Sequence, residues 1–253
     1  MTGPSSTSTG RRSTTVPKPK KPPRWYFSLR SPYSWFAYLD LTERYPDVAD
    51  GMDWIPFWEP DAVTQRMLDE ADVELPIVAM SRAKNFYILQ DLSRISKARG
   101  LKMTVPIDKD PNWEVSHLAY LAAQEEGHGR RFIELTYRAR WQEGRDITRP
   151  ETMGEIAVEL GLPAERLANA SDDPGLRKRG LDCLVQSYQD GLFGVPFFIY
   201  GREKFWGADR LTPFVAAFRG QPLEEVEKGW QHHDELPRFS APGGDTGHAG
   251  GCG

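Results

Sequence analysis

Two hydroxyls three residues apart, in Ser31-Pro32-Tyr33-Ser34, are the side chains whose type and spacing point most directly to chemistry. Serine is a preferred helix N-cap and proline suits the first helical position, so the run predicts a helix start with unpaired backbone N–H groups. Such a terminus presents partial positive charge and favours an anion, a thiolate included. The serines themselves cannot carry out dithiol–disulfide exchange, because the attacking group must be a thiolate. Read alone, the run is also no more than a cap, since Ser-Pro begins many helices. The two cysteines, Cys183 and Cys252, lie far apart and form no C-x-x-C pair, which argues against a disulfide framework and against zinc. His232, His233, His248 and Cys252 fall in a Gly-rich stretch where a metal cluster is disfavoured, so no metal is expected.

The elements around the run are legible from periodicity. Trp25 to Leu29 reads as a strand, and the stretch from Ser31 through Tyr45 as a helix with Trp35, Phe36, Tyr38 and Leu39 at helical spacing. Met52 to Trp58 alternates as a second strand, with Pro56 placing it near an edge. Helices are predicted over Ala62–Glu70, Ser81–Arg99, Trp113–Glu126, Arg131–Trp141, Glu151–Leu160 and Gly175–Asp190, separated by Gly- or Pro-marked breaks. Pro196 to Tyr200 and Lys204 to Trp206 then read as a hairpin about Gly201-Arg202-Glu203, followed by a helix through Phe218. On the long central helix, Tyr87, Asp91 and Arg94 share one face.

Composition bounds the rest. The 253 residues, 39% hydrophobic and 27% charged, suffice for a packed core. Residues 1–23 carry almost no large apolar side chain and cannot offset the entropy of ordering, so they read as a disordered arm. The arm is basic, with Arg11, Arg12, Lys18, Lys20 and Lys21 and no acid before Asp40, although the chain's net charge is −4. A solvated tail is favoured over a nucleic-acid or membrane role for it. The sequence shows neither an apolar run near the N-terminus nor a stretch of about twenty apolar residues, so a soluble cytoplasmic protein is expected. The stretch 231–253 reads as a Gly-rich disordered tail.

The element order, β-α-β, helical block, β-β-α, is the layout of a thioredoxin fold with a helical insertion. Ser31-Pro32-Tyr33-Ser34 then occupies the turn where thioredoxin-like oxidoreductases carry C-P-x-C. With Trp25-Tyr26-Phe27 leading to Trp35, Lys84 opening a helix, Trp141-Gln142-Glu143-Gly144-Arg145-Asp146-Ile147, Gly191-Leu192-Phe193-Gly194-Val195-Pro196-Phe197 and Phe205-Trp206-Gly207-Ala208-Asp209-Arg210-Leu211, the chain resembles the 2-hydroxychromene-2-carboxylate isomerase and kappa-class glutathione transferase family. The resemblance implies an α/β fold of DsbA-like thioredoxin type: an N-terminal half over 24–60, a large all-helical domain inserted over 61–190, and a C-terminal half over 191–230. It also implies a site. Ser31 would be catalytic, lying against the sulfur of bound glutathione or another low-molecular-weight thiol. Val195, before a cis Pro196, would offer its backbone to the cysteinyl portion. Ala208 and Asp209 would hold the γ-glutamyl end, and Lys84 would contact a carboxylate of the tripeptide. Arg30, Tyr33 and Ser34 are the substrate-side candidates, with Trp35, Trp54 and Trp58 either lining an acceptor pocket or packing the core. Relatives form dimers, so a homodimer is implied.

Several plainer readings stand beside these. Asp209 reads equally as an N-cap, while Thr212-Pro213 offers a second helix start that would leave Asp209 free for a ligand. Lys84 in a first helical turn reads as a solvated lysine. The chain also departs from the family pattern, with Ser28 where relatives have Asp, Arg30 where they have an apolar residue, and Ala71-Asp72-Val73-Glu74-Leu75-Pro76 in place of an Asn-x-Pro-Pro segment. Three functions are therefore carried forward: a thiol-dependent cis-trans isomerase of a small unsaturated aromatic carbonyl compound, a glutathione S-transferase, and a non-catalytic thioredoxin-like binding protein.

Overall fold

The structure, a computed structural model, describes residues 21–77 and 79–231. The expectations for the arm up to residue 20 and for the tail beyond 231, with its three histidines and Cys252, fall outside the described residues. Strand β1 (Arg24–Phe27) leads into α1 (Pro32–Arg44), a short α2 (Pro46–Asp50) and β2 (Asp53–Pro56). Then come α3 (Ala62–Glu70), α4 (Arg82–Ala98), α5 (Glu114–Glu125), α6 (Gly129–Tyr137), α7 (Pro150–Glu159), α8 (Ala164–Ala168) and α9 (Pro174–Gln189). Strands β3 (Phe197–Tyr200) and β4 (Glu203–Trp206) follow, with α10 (Leu211–Arg219) and α11 (Leu223–Gln231) closing the described chain.

The four strands form one sheet in the order β2-β1-β3-β4, with β1 and β2 parallel and the other pairs antiparallel. A parallel pair needs a crossover, and α1 with α2 supplies it. Strand β2 lies at the edge as Pro56 predicts, because proline has no N–H to donate to a ladder. The strand ends there rather than at Trp58, although the Phe57 N–H still donates to the Phe27 carbonyl at 2.7 Å. All four residues of β1 are buried, which is what covering the sheet on both faces requires.

Aromatic rings hold the layers together. Trp25 stacks on Phe198 at 5.9 Å and meets Trp54 edge-on at 4.5 Å, while Phe198 stacks on Phe214 of α10 at 5.0 Å. The helical block is tied to the same sheet by Tyr120 of α5 against Phe27 at 5.2 Å. It is also tied by Asp190, which accepts from the Tyr26 hydroxyl at 2.5 Å and pairs with Arg24 at 2.8 Å. Trp35, Trp54 and Trp58 are all buried in this core.

Close packing of the block on the thioredoxin half appears at Gly180 of α9, where a Cβ would stand 2.6 Å from a Leu118 methyl and 3.1 Å from the Trp58 ring. Gly180→Val is expected to cost about 1–3 kcal/mol through overpacking, even though valine outranks glycine in helix propensity. Urea unfolding would read the loss. A variant as stable as the parent would show that α9 can move off α5.

Two sequence expectations are corrected here. The segment predicted as one helix from Arg131 to Trp141 begins at Gly129 and widens into a single π turn over Arg138–Gln142. Thr212 does not start the last thioredoxin helix; α10 begins at Leu211 with Arg210 at its cap position, after a 3-10 turn over Ala208–Arg210. The start of α10 carries no side-chain cap hydrogen bond.

Candidate active site

The turn between β1 and α1 is held by local hydrogen bonds. Ser31 is the N-cap of α1 in extended conformation, its Oγ accepts from the Ser34 N–H at 3.2 Å, and Pro32 takes the first helical position. The Ser31 N–H donates to the Ser28 carbonyl at 3.1 Å, and the Tyr137 hydroxyl donates to that same carbonyl at 3.1 Å. Ser34 Oγ accepts from the Ser28 N–H at 3.3 Å. Both serines are fully buried. The cap bond engages a lone pair of the Ser31 hydroxyl and not its proton, so the O–H keeps its donor function.

The two residues that flank Ser31-Pro32 line different clefts. Tyr33 lines one of about 290 Å³ between α1, α4 and the 208–212 segment, which Ala208 and Asp209 also line. The Tyr33 hydroxyl donates to Asp91 of α4 at 2.8 Å, and Arg94 pairs with Asp91 while lying over Tyr87. The face predicted for that helix is thus an ion-paired one. In the same cleft Arg99 makes a bidentate pair with buried Asp40 at 2.9 and 3.0 Å, and Arg44 reaches the same carboxylate at 3.3 Å. Arg30 lines the other cleft, of about 520 Å³, with Glu59, Asp61, Asp108 and Trp113. Its guanidinium pairs with Glu59 at 3.0 Å and lies 5.3 Å over the Trp113 ring, whose surroundings also include Arg140 at 5.1 Å. Arg140 is bound bidentately by Asp108 at 2.8 and 2.9 Å.

The loop before β3 carries a cis peptide bond between Val195 and Pro196, and Val195 is fully buried. The Pro196 carbonyl accepts from the Gly207 N–H at 3.0 Å, which joins this loop to the turn that presents Ala208 and Asp209. Gly207 itself has φ 106°, a conformation that glycine adopts without strain. Asp209 is half exposed and pairs with Arg210 at 2.7 Å; it caps neither the 3-10 turn, whose cap position is Gly207, nor α10. Lys84 is exposed in the first turn of α4, where its backbone N–H is capped by Ser81, and it is not among the residues lining the two clefts. Five of the predicted residues, Tyr33, Val195, Pro196, Ala208 and Asp209, are thereby joined through one cleft and one loop-to-turn bond, whereas Arg30 and Lys84 lie elsewhere.

A further buried group at the turn was not singled out from the sequence. His117 of α5 is fully buried, and its Nε2 lies 3.1 Å from the Leu29 N and 3.3 Å from Ser28 Oγ. Burial pushes its pKa down to about 3, with Arg140 and Arg30 adding to the shift against the opposing bond to the Trp113 carbonyl. Nothing in the amphipathic pattern of α5 distinguishes this histidine, because its partners lie 88 and 89 residues away. Among the described residues no group of three His, Cys, Asp or Glu side chains is placed to hold a metal ion, and no helix is long and apolar enough to cross a membrane.

Comparison with known proteins matches residues 24–219 to a family model described as a DSBA-like thioredoxin domain. The 2-hydroxychromene-2-carboxylate isomerase of Sphingobium xenophagum is 24% identical over 188 residues, 74% of this chain and 92% of that protein. A solved 2-hydroxychromene-2-carboxylate isomerase superposes with a TM-score of 0.61 at 19% identity, covering 84% of this chain and 98% of the other. A probable DsbA oxidoreductase from Streptomyces coelicolor gives 0.55 at 18% identity, covering 88% and 96%.

Proposed function

Since the chain belongs to the DSBA-like thioredoxin domain family, yet places serines at both positions of the helix-start turn, we propose that it is a thiol-dependent cis-trans isomerase of a small unsaturated aromatic carbonyl compound. The observation that carries the reading is the pairing of that hydroxyl turn with similarity to an isomerase over 92% of the relative's length. Serines at this turn remove dithiol exchange and retain an anion-favouring helix terminus.

The donor set suits a thiol cofactor of glutathione type. Ser31 supplies a hydroxyl donor, the α1 terminus supplies partial positive charge, and the half-exposed Asp209 carboxylate suits an ammonium. Val195 and Pro196 lie in the loop bonded to the Asp209 turn, so they belong with this end of the site. When bound, such a thiol supplies the nucleophilic sulfur that adds to a conjugated double bond, permits rotation and departs unchanged. Ser31 and the α1 terminus hold the sulfur's negative charge, and Tyr33, which lines the same cleft as Ala208, bounds the aromatic substrate. Because Ser31 is buried, the ligand must displace the side chains that cover the turn.

The test is titration of reduced glutathione into the protein and into a Ser31→Ala variant, with the thiolate's ultraviolet absorbance followed in parallel. Loss of one hydrogen bond to a charged group is expected to cost about 1.5–3 kcal/mol, a weakening of roughly 10- to 150-fold in thiolate binding. Stability falls separately by about 1 kcal/mol with the cap. Equal binding and equal absorbance in both proteins would remove Ser31 from the site.

A further inference from the structure

The fully buried imidazole of His117 touches the same turn from the helical block, and its hydrogen bonds leave one assignment of its protons. Nδ1 stands 2.8 Å from the Trp113 carbonyl oxygen, which can only accept, so Nδ1 carries the proton. Nε2 is therefore the acceptor, receiving the Leu29 N–H at 3.1 Å and the Ser28 hydroxyl at 3.3 Å. Ser28 Oγ in turn accepts from the Arg30 N–H at 3.3 Å. The ring stacks on Trp58 at 5.1 Å and 19°, which fixes its plane. One neutral acceptor thus organises three consecutive residues, Ser28, Leu29 and Arg30, immediately before Ser31. A protonated ring would turn a donor against the Leu29 N–H; burial, which drives the pKa to about 3, keeps it neutral.

We propose that His117 is a positioning residue for the Ser31 turn: its Nε2 lone pair sets the backbone of residues 28–30 so that the α1 terminus and the Ser31 hydroxyl meet the thiol. This inference rests on the thiol reading of the site, but its first consequence is independent of it. A plain core histidine would contribute stability alone, whereas a positioning acceptor also decides the order of the turn and the acidity of a bound thiol.

Two variants separate these roles. His117→Gln retains a side-chain oxygen acceptor, and His117→Leu fills the space without one. Amide hydrogen exchange is measured at Leu29, Arg30 and Ser31, with α7 as an internal reference, and the thiol pKa of bound glutathione is followed by ultraviolet absorbance. In the Leu variant, exchange at the turn is expected to rise at least 10-fold beyond that of α7. Glutathione should bind at least 10-fold more weakly with a thiol pKa returned toward its free value. The Gln variant should recover most of each effect. Unchanged turn exchange in a folded Leu variant, or no recovery with Gln, would overturn the positioning role whatever happens to thiol binding. Loosened exchange in a protein whose parent form binds no glutathione would uphold His117 as organiser of the turn and remove the thiol reading instead.

Discussion

Acidification from pH 7.5 to pH 4.5 is expected to lower the unfolding free energy through His117 by roughly 2–3 kcal/mol. The folded-state pKa is pushed down to about 3 from an ordinary 6.5, so the unfolded chain takes up a proton in this range that the folded chain refuses. The contribution is fully present above pH 6.5 and is lost progressively as pH falls toward 3. Shifted carboxylates also modify the curve, Glu114 and Asp61 among them. Burial raises the pKa of Glu114, so its neutral form suits the folded state and its stabilising contribution, lost as pH rises through the raised pKa, partly offsets the histidine's loss on acidification. Asp61 lies below its usual range because hydrogen bonds from the Thr64 and Val63 N–H groups and Arg177 outweigh its burial, and it adds to the acid loss once its ordinary range is reached.

Urea unfolding at four pH values, for the parent and His117→Gln, isolates the histidine. The parent's stability advantage over the variant should shrink steadily as pH falls. A constant difference would mean that the ring takes up a proton within the fold.

This titration also marks the limit of what the sequence discloses. The layout was readable because β1, β2 and β3 are short apolar runs bounded by turn residues, and because Ser31-Pro32 is a local cap signal that folding preserves. Glycines and prolines between the helices of the block gave its boundaries to within a few residues. What stayed hidden depends on contacts between distant segments. His117 meets Leu29 across 88 residues, and no local pattern marks a histidine on a fully buried helix such as α5 as an acceptor for another segment's backbone. Arg30 reads as a cation beside Ser31, but its pairing with Glu59 and its place over Trp113 carry it into the second cleft. Asp209 reads as a cap or a ligand group, and the start of α10 at Leu211 leaves it as neither cap, paired with its neighbour Arg210. Helices α2 and α8, of five residues each, are too short for periodicity to reveal.

Replacing both serines by cysteine, Ser31→Cys with Ser34→Cys, is expected to convert the turn into a dithiol that exchanges with disulfides, an activity that the hydroxyls cannot support. The geometry favours it. The extended N-cap conformation of Ser31 folds its side chain back over the first turn, as the 3.2 Å bond from the Ser34 N–H to Ser31 Oγ shows, and Ser34 Oγ turns back to the Ser28 N–H, so both side chains sit at the β1–α1 turn. A sulfur at the first position would feel the α1 terminus and is expected to titrate below the ordinary 8.5 or so of a free thiol, in the range of about 3.5–7.5 seen at helix N-termini. In the exchange, two thiols lose their protons and two electrons to form the internal disulfide, while an added disulfide gains both electrons and protons. Rates of reduction of a small disulfide such as hydroxyethyl disulfide should rise well above the parent's background. The Ser31→Cys single variant should form a mixed disulfide that it cannot resolve. The pH dependence of iodoacetamide alkylation decides the matter, with small reagents chosen because the position is fully buried. A first thiol titrating at or above 8.5 would show that burial outweighs the helix terminus at this turn, and the stabilisation of a bound thiolate by the same terminus would fail with it.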